Sequence, residues 1–474
     1  MHIFFLLSFI LLLHVSGAFA EDWATYQHDN RRSGVSLDQV KWPLELSWDY
    51  SAPTPPQTAW PAPARWDAYA KINDLKSMRD FDPVFYVIAV DGSLFFSSSV
   101  EDCVVSSNAD TGEVNWRYFT NAPVRFAPTW HNGKLYFGSD DGFAYCINAN
   151  SGELVWTFRP APDGRVIPSN GKMISPWPVR TGVLVQDGVA YFGASLVPWD
   201  ESYLCAVDAE TGEIKQAGNY NHTLRGVTFQ GAILASDSNL YISQGRQHPL
   251  TFNRQTGEQI GGFGEGGNGG VFAILTPEST FIHGRGKRKS SDTEFRGFDP
   301  NTRDQIASFP NATCMIVYEN MAYLHAQGKL VAFDRFRHIE LEKERIDLEA
   351  KKSQLNDRIK KLGKQTVSDE KAQLLEQVKE VNRALEAVAE QKLQCVVWQT
   401  ESNHPHTLIM AGDTLFAGGD GEAAAFNRID GAHLGSLDVE GAAHGLAVHD
   451  GRLYVSTDAG NVYSFRSPVL ETAP

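Results

Sequence analysis

Arg125, Arg180 and Gln230 are the residues whose spacing first suggests chemistry. Arg125 and Arg180 each stand eight residues before a turn glycine, Gly133 and Gly188, and Gln230 falls at the matching place in the next repeat. Equivalent positions on successive strands of a closed array converge on one opening. Two guanidiniums there could hold a carboxylate or another small anion through bidentate hydrogen bonds. The competing expectation is that they pair with acidic residues of neighbouring strands. His404, His406 and His444 start two later repeats and reach toward the same opening. No third ligand stands at metal-site spacing, so no metal is expected from them. Gly262-Phe263-Gly264-Glu265-Gly266-Gly267 matches GxGxxG by letter, but no strand–helix–strand pattern surrounds it, and it reads as a Gly-rich connection.

The elements that would carry these residues repeat along the chain. Asn132-Gly133 to Trp156 is one copy, Asp91-Gly92 to Trp116 a second and Asp187-Gly188 to Lys215 a third, with looser copies from Asn239, Phe281, Met321, Thr414 and Arg452. A period of roughly 40–45 residues with several short strands per unit predicts an all-β propeller. The strands around Trp48, Trp116, Trp156 and Trp398 align without gaps and alternate apolar with polar residues, which suits an outer strand whose indole packs between blades. The first of them, Leu44–Tyr50, precedes any complete unit, and the last unit lacks such a strand. The N-terminal strand is therefore expected to complete the final blade and close the ring. The inner copies count to eight blades, or seven if the unit around Phe281–Ile306 is incomplete.

Two segments break the repeat. Thr54 to Asp80 begins Pro-rich and then reads helical over Arg65–Met78, crossing one face of the disc. In His338–Gln394, Leu374, Val378, Val381, Leu385 and Val388 follow heptad spacing, and Leu341, Leu348, Leu355 and Leu362 recur at sevens. This predicts an antiparallel helical hairpin turning at Gly363–Ser368, inserted between the third and fourth strands of one blade and projecting as a contact arm. The expected boundaries are a signal peptide over 1–20, propeller over 21–337, hairpin over 338–394, propeller again over 395–466, and a tail over 467–474.

Ile3–Val15 is almost entirely apolar, and Ala18 and Ala20 precede Glu21 at signal-peptidase spacing, so the expected destination is the periplasm or the exterior. No lipidation Cys stands at the cleavage point. His338–Gln394 holds 12 basic and 12 acidic residues, so the remaining 30 basic against 45 acidic carry the whole net charge of −15. An acidic body repels phosphate backbones and excludes nucleic acid as a partner. The five cysteines, Cys103, Cys146, Cys205, Cys314 and Cys395, form no CxxC pair and are expected as buried free thiols.

Together these features resemble the PQQ-type propeller repeat family, which includes quinoprotein dehydrogenases and BamB-type outer-membrane assembly proteins. The opening Trp23–Gly34, the segment Met173–Arg180 and Ala417–Glu422 resemble an envelope-associated, PQQ-binding-like branch of it. Quinoprotein dehydrogenases of this family use an adjacent Cys–Cys disulfide and a calcium ion held by acidic and amide side chains. This chain has no adjacent cysteines, and Asp140, Asp141 and Asp420 fall where turn geometry alone calls for Asp. The expected function is accordingly a non-catalytic, BamB-like scaffold with no cofactor, docking envelope or secreted proteins through propeller loops and the hairpin. The alternatives are a PQQ- and calcium-dependent oxidoreductase, or a small-anion or carbohydrate sensor at the channel mouth.

Overall fold

In the computed structural model the described residues are 21–61, 78–264, 268–287, 292–363 and 369–468. The expected leader (1–20), nearly all of the predicted helix Arg65–Met78 and most of the Gly363–Ser368 turn lie outside them. The protein is mostly β and forms a β-propeller. Among the described residues six separate four-stranded antiparallel sheets follow one another along the chain, the first running from Val87–Val90 to Val114–Phe119 and the sixth from Ala312–Tyr318 to Val396–Glu401. The unit around Phe281–Ile306 has its full four strands, Asn268–Leu275 to Gln305–Pro310.

The end of the chain departs from simple repetition. His433–His449 is one long strand: Asp438 pairs with Glu422 on one side, while Leu446 pairs with Val455 on the other. It fuses what would be two sheets into one of eight strands. Glu45–Ser51 supplies the final strand, with Leu46 opposite Phe465 and Tyr50 opposite Val462, as the leftover outer strand predicts. A small hairpin, Ile167–Ser169 with Lys172–Ile174, was not foreseen.

Indole and turn glycine together set the contact between neighbouring sheets. Trp48 and Trp156 donate Nε1–H to the carbonyls of Ala109 and Ala209 in the turn of the adjoining sheet, and Trp398 does so to Arg428. Gly112, Gly212 and Gly431 in those turns have positive φ, and a Cβ on any of them would stand within 2.7 Å of the indole. These glycines are thus required twice, by backbone conformation and by the ring above them. Trp116 packs on Gly152 in the same way, although its Nε1–H finds no acceptor.

Two helices, α1 (Arg335–Lys361) and α2 (Asp369–Leu393), lie between the third and fourth strands of the sixth sheet. Asp334 caps α1 by accepting from the amides of Phe336 and Arg337. Leu341 packs with Val388, and Leu355 with Leu374 and Val381. Buried Glu342 accepts from Arg345 and from Lys392 of the other helix. At the root, His338 stacks between Phe309 and Phe333, and Arg335 bonds Glu278 through both Nη atoms.

One mouth of the channel is closed by the segment from Trp23 to Ser36, which bonds the first strands of successive sheets. Trp23 pairs with Ala89, the carbonyls of Ala24, Asn30 and Arg31 accept from Trp130, Ala235 and Leu275, and Val35–Ser36 runs parallel to Met410–Ala411. Arg32, buried in this plug, bonds only neutral oxygens, those of Ile233, Thr25, Tyr26 and Asp29. Burial lowers its pKa to about 10, with Asp29 opposing.

Candidate functional site

The opposite mouth is built around a buried chain of charges. Arg125 and Arg180, on equivalent inner positions, meet at one carboxylate. Asp140 accepts from Arg125 Nε at 2.7 Å and from Arg180 Nε and Nη2 at 2.7 and 2.8 Å. Arg125 Nη1 also donates to Asp82 at 2.6 Å and to the carbonyl of Gln57 at 2.7 Å. Asp82 and Asp140 are each only 1% exposed. Burial pushes both carboxyl pKa values up. At Asp140 the two guanidiniums outweigh it and hold the group below its ordinary value, while Asp82 stays raised.

The segment entering from Ala52 is pinned over this chain. The amide of Ala59 donates to Asp82, its carbonyl accepts from Asn170, and Trp60 Nε1–H donates to Gln230 Oε1 at 2.8 Å. The Arg79 guanidinium sits 4.3 Å and that of Arg180 5.7 Å from the Trp60 ring centroid. Burial, with Arg246 and Arg180 nearby, lowers the Arg79 pKa to about 10. The Gln230 side chain is fully buried, and its Nε2 donor has no partner. An indole flanked by cations and next to an unused amide donor suits a planar ligand carrying carboxylates.

The histidines form a second group. His406 bonds Asp420 at 2.7 Å and packs against His444 at 4.2 Å between ring centroids with the rings tilted by 39°, while His404 bonds Glu422 at 3.0 Å and Ser402 at 3.1 Å. Burial lowers the His404 pKa against the opposing Glu422 carboxylate. Among the described residues no three His, Cys, Asp or Glu side chains gather as metal ligands. His406 and His444 line a cavity of about 60 Å³ on the channel axis, with Arg32 from the plug and Asp80 and Phe81 from the other side. All five cysteines are buried and free.

The sequence places Arg125, Arg180 and Gln230 together, and the structure adds Asp82, Asp140, Trp60 and Arg79, which spacing did not single out. Asp140 does occupy a turn, as expected, yet it is also the buried counter-charge of two arginines. Charge balance was the available signal. Two arginines on inner strands of an apolar array require carboxylates close by.

The class defined by this fold is that of the β-propellers. Residues 64–260 match the family model described as outer membrane protein assembly factor BamB. The chain is 29% identical over 208 residues to the dehydrogenase subunit of a quinone-type alcohol dehydrogenase from Gluconobacter oxydans, over 42% of this chain and 25% of that protein. The corresponding subunit from Gluconacetobacter polyoxogenes is 26% identical over 144 residues, 27% of this chain and 18% of that protein. The matched stretches thus span a quarter or less of these relatives. Among solved structures, quinohemoprotein alcohol dehydrogenase from Comamonas testosteroni superposes with a TM-score of 0.59 at 14% identity, over 96% of this chain and 82% of that one, a likeness of fold.

These relatives correct three linked expectations: a non-catalytic BamB-like scaffold, no enzyme, and no cofactor. The curated proteins similar to this chain are quinone-type dehydrogenase subunits. The expectation rested on the missing adjacent cysteines and on the reading of Asp140, Asp141 and Asp420 as turn residues. Asp82 and Asp140 meet Arg125 from positions far apart in the chain, which a local search for acidic residues passes over.

Proposed function

We propose that the chain is a quinone-dependent oxidoreductase acting on an alcohol, with PQQ held at the mouth where Trp60, Arg79, Arg180 and Gln230 gather. The observation that carries this reading is the unpaired Gln230 amide beside an indole flanked by two guanidiniums. The quinone-type relatives support the same class. PQQ is a fused-ring tricarboxylate, so its chemistry fits this donor set. The axial cavity of about 60 Å³ is too small for three fused rings. Bound there, the quinone would supply a two-electron oxidant for an alcohol carbon.

The chain's own groups have distinct tasks in this reading. Trp60 offers a flat face, Arg79 and Arg180 offset carboxylate charge, and Gln230 Nε2 orients a carbonyl or carboxylate oxygen. Asp82, whose carboxyl is raised by burial, is the member of the cluster able to take up a proton, and Asp140 is held ionised by its two arginines. No calcium ligands are assigned. In the same reading the six separate sheets and the two halves of the eight-stranded sheet are eight blades, and residues 338–394 are an inserted helical hairpin. The leader 1–20 is removed on export and the mature chain starts at Glu21. A docking role of the helices toward an envelope protein would be additional to the redox chemistry.

Reconstitution tests the proposal. Protein mixed with PQQ and calcium should acquire a bound chromophore and reduce an artificial dye in the presence of a primary alcohol. Gln230→Ala should weaken quinone binding about tenfold, the effect of losing one hydrogen bond to a charged group. A chain that binds no quinone by absorbance or equilibrium dialysis would overturn the reading. Removing residues 340–392 and joining the ends with a short turn should leave dye reduction unchanged.

A further inference from the structure

The axial cavity is separate from the mouth and has its own chemistry. It lies among residues contributed by the first strands, or the turns before them, of seven of the eight four-stranded units. The plug closes it from one side with Tyr26, Gln27 and Arg32, and Phe81 covers the other. Its polar lining consists largely of donors. Arg32, 3% exposed, has no carboxylate bonded to it among the described residues. Its Nε and Nη1 protons go to neutral oxygens, and Nη2 makes a single bond, to the carbonyl of Ile233. Thr407, 4% exposed, has a hydroxyl without a partner. His406 and His444 add imidazole rings, one of them tied to Asp420 outside. Among the described residues Asp80 is the one carboxylate in the lining, and the acidic neighbour that acts on Arg32 is Asp29. Asp29 itself is engaged by Arg31 and by the amide of Ser33.

A buried cation that meets only neutral acceptors is costly, and a small anion beside it recovers part of that cost. About 60 Å³ exceeds what one water requires and accommodates an ion of a few heavy atoms. We propose that this cavity is a binding site for a small monoanion, of halide or formate size, held by the Arg32 guanidinium and the Thr407 hydroxyl. The site is independent of the quinone, so either reading can fail without the other.

Bromide is the probe, because it scatters anomalously and matches chloride in chemistry. Crystals of the full chain grown without quinone and soaked in bromide should show an anomalous peak in the axial cavity. In solution, bromide or formate at constant ionic strength should raise the melting temperature along a saturating curve. Thr407→Val keeps the side-chain shape and removes the hydroxyl, so the half-saturating concentration should rise about tenfold. A cavity holding only water, with bromide peaks confined to the surface and an identical anion response in Thr407→Val, would overturn the proposal. Should Thr407→Val fail to fold, the wild-type anomalous map decides alone.

Discussion

Asp140 accepts three hydrogen bonds from two guanidiniums while almost completely buried, so its removal should be felt far more than that of a surface acid. Asp140→Ala leaves Arg125 with Asp82 alone and Arg180 without a carboxylate. The expected loss is about 3–5 kcal/mol, measured by urea denaturation. The pH dependence follows from opposite shifts. Asp140 has a folded pKa below its unfolded value, so its stabilisation is complete above the ordinary Asp range and is lost as pH falls through the folded value. Asp82 has a raised folded pKa, so its ionised form weakens the fold at neutral pH. Stability recovers as pH falls from that raised value toward the ordinary one. His338, whose pKa burial lowers to about 4, loses stability for the fold as pH drops from 6.5 through about 4, because only the unfolded chain then takes the proton. Denaturation midpoints between pH 3 and 7 should therefore rise in His338→Phe relative to wild type at the acid end, and Asp82→Asn should abolish the Asp82 contribution.

Among the elements, outer strands were the most legible because their Trp positions repeat in register with the turn glycines they cover. The physical reason is local: each indole sits on a glycine in the next unit, so both residues recur at the repeat period. Gly212→Ala is the direct test. Its φ of +71° is unfavourable for Ala, and its Cβ would lie 2.6 Å from Trp156. The two effects together should cost about 2–4 kcal/mol in denaturant melts. The helices were legible from their heptads, and their packing of Leu341 on Val388 follows that seam. What was not legible arises between distant segments. The strand His433–His449 reads as two because it serves two sheets, and the hairpin at 167–174 carries no repeat signal. Trp60 belongs to the segment Thr54–Asp80 that breaks the repeat and Asp82 follows directly after it, so alignment of the copies says nothing about them.

At the scale of the molecule, Glu45–Ser51 and the plug tie the two ends of the chain together. Trp48 completes the last sheet and donates to Ala109 in the first, and His449 bonds the carbonyl of Glu21 across 428 positions of sequence. Trp48→Gly should loosen that final strand and expose the edge of Asn461–Arg466. Light scattering should then report more higher-order association than in wild type. Among the described residues no helix is long and apolar enough to cross a membrane. The acidic surface, with its net charge of −15, favours solubility of the closed ring.

The plug has a consequence for the order of events in the life of the chain. Val35 and Ser36 are synthesised long before their partners Met410 and Ala411. Until that strand emerges, Val35 and Ser36 wait with their ladder groups unclaimed, although Trp23 and Ala24 have partners in Ala89 and Trp130 much earlier in the chain. The floor of the channel is therefore complete only once Met410 and Ala411 have been made, and any ligand of the axis is either enclosed at that moment or must enter from the other side.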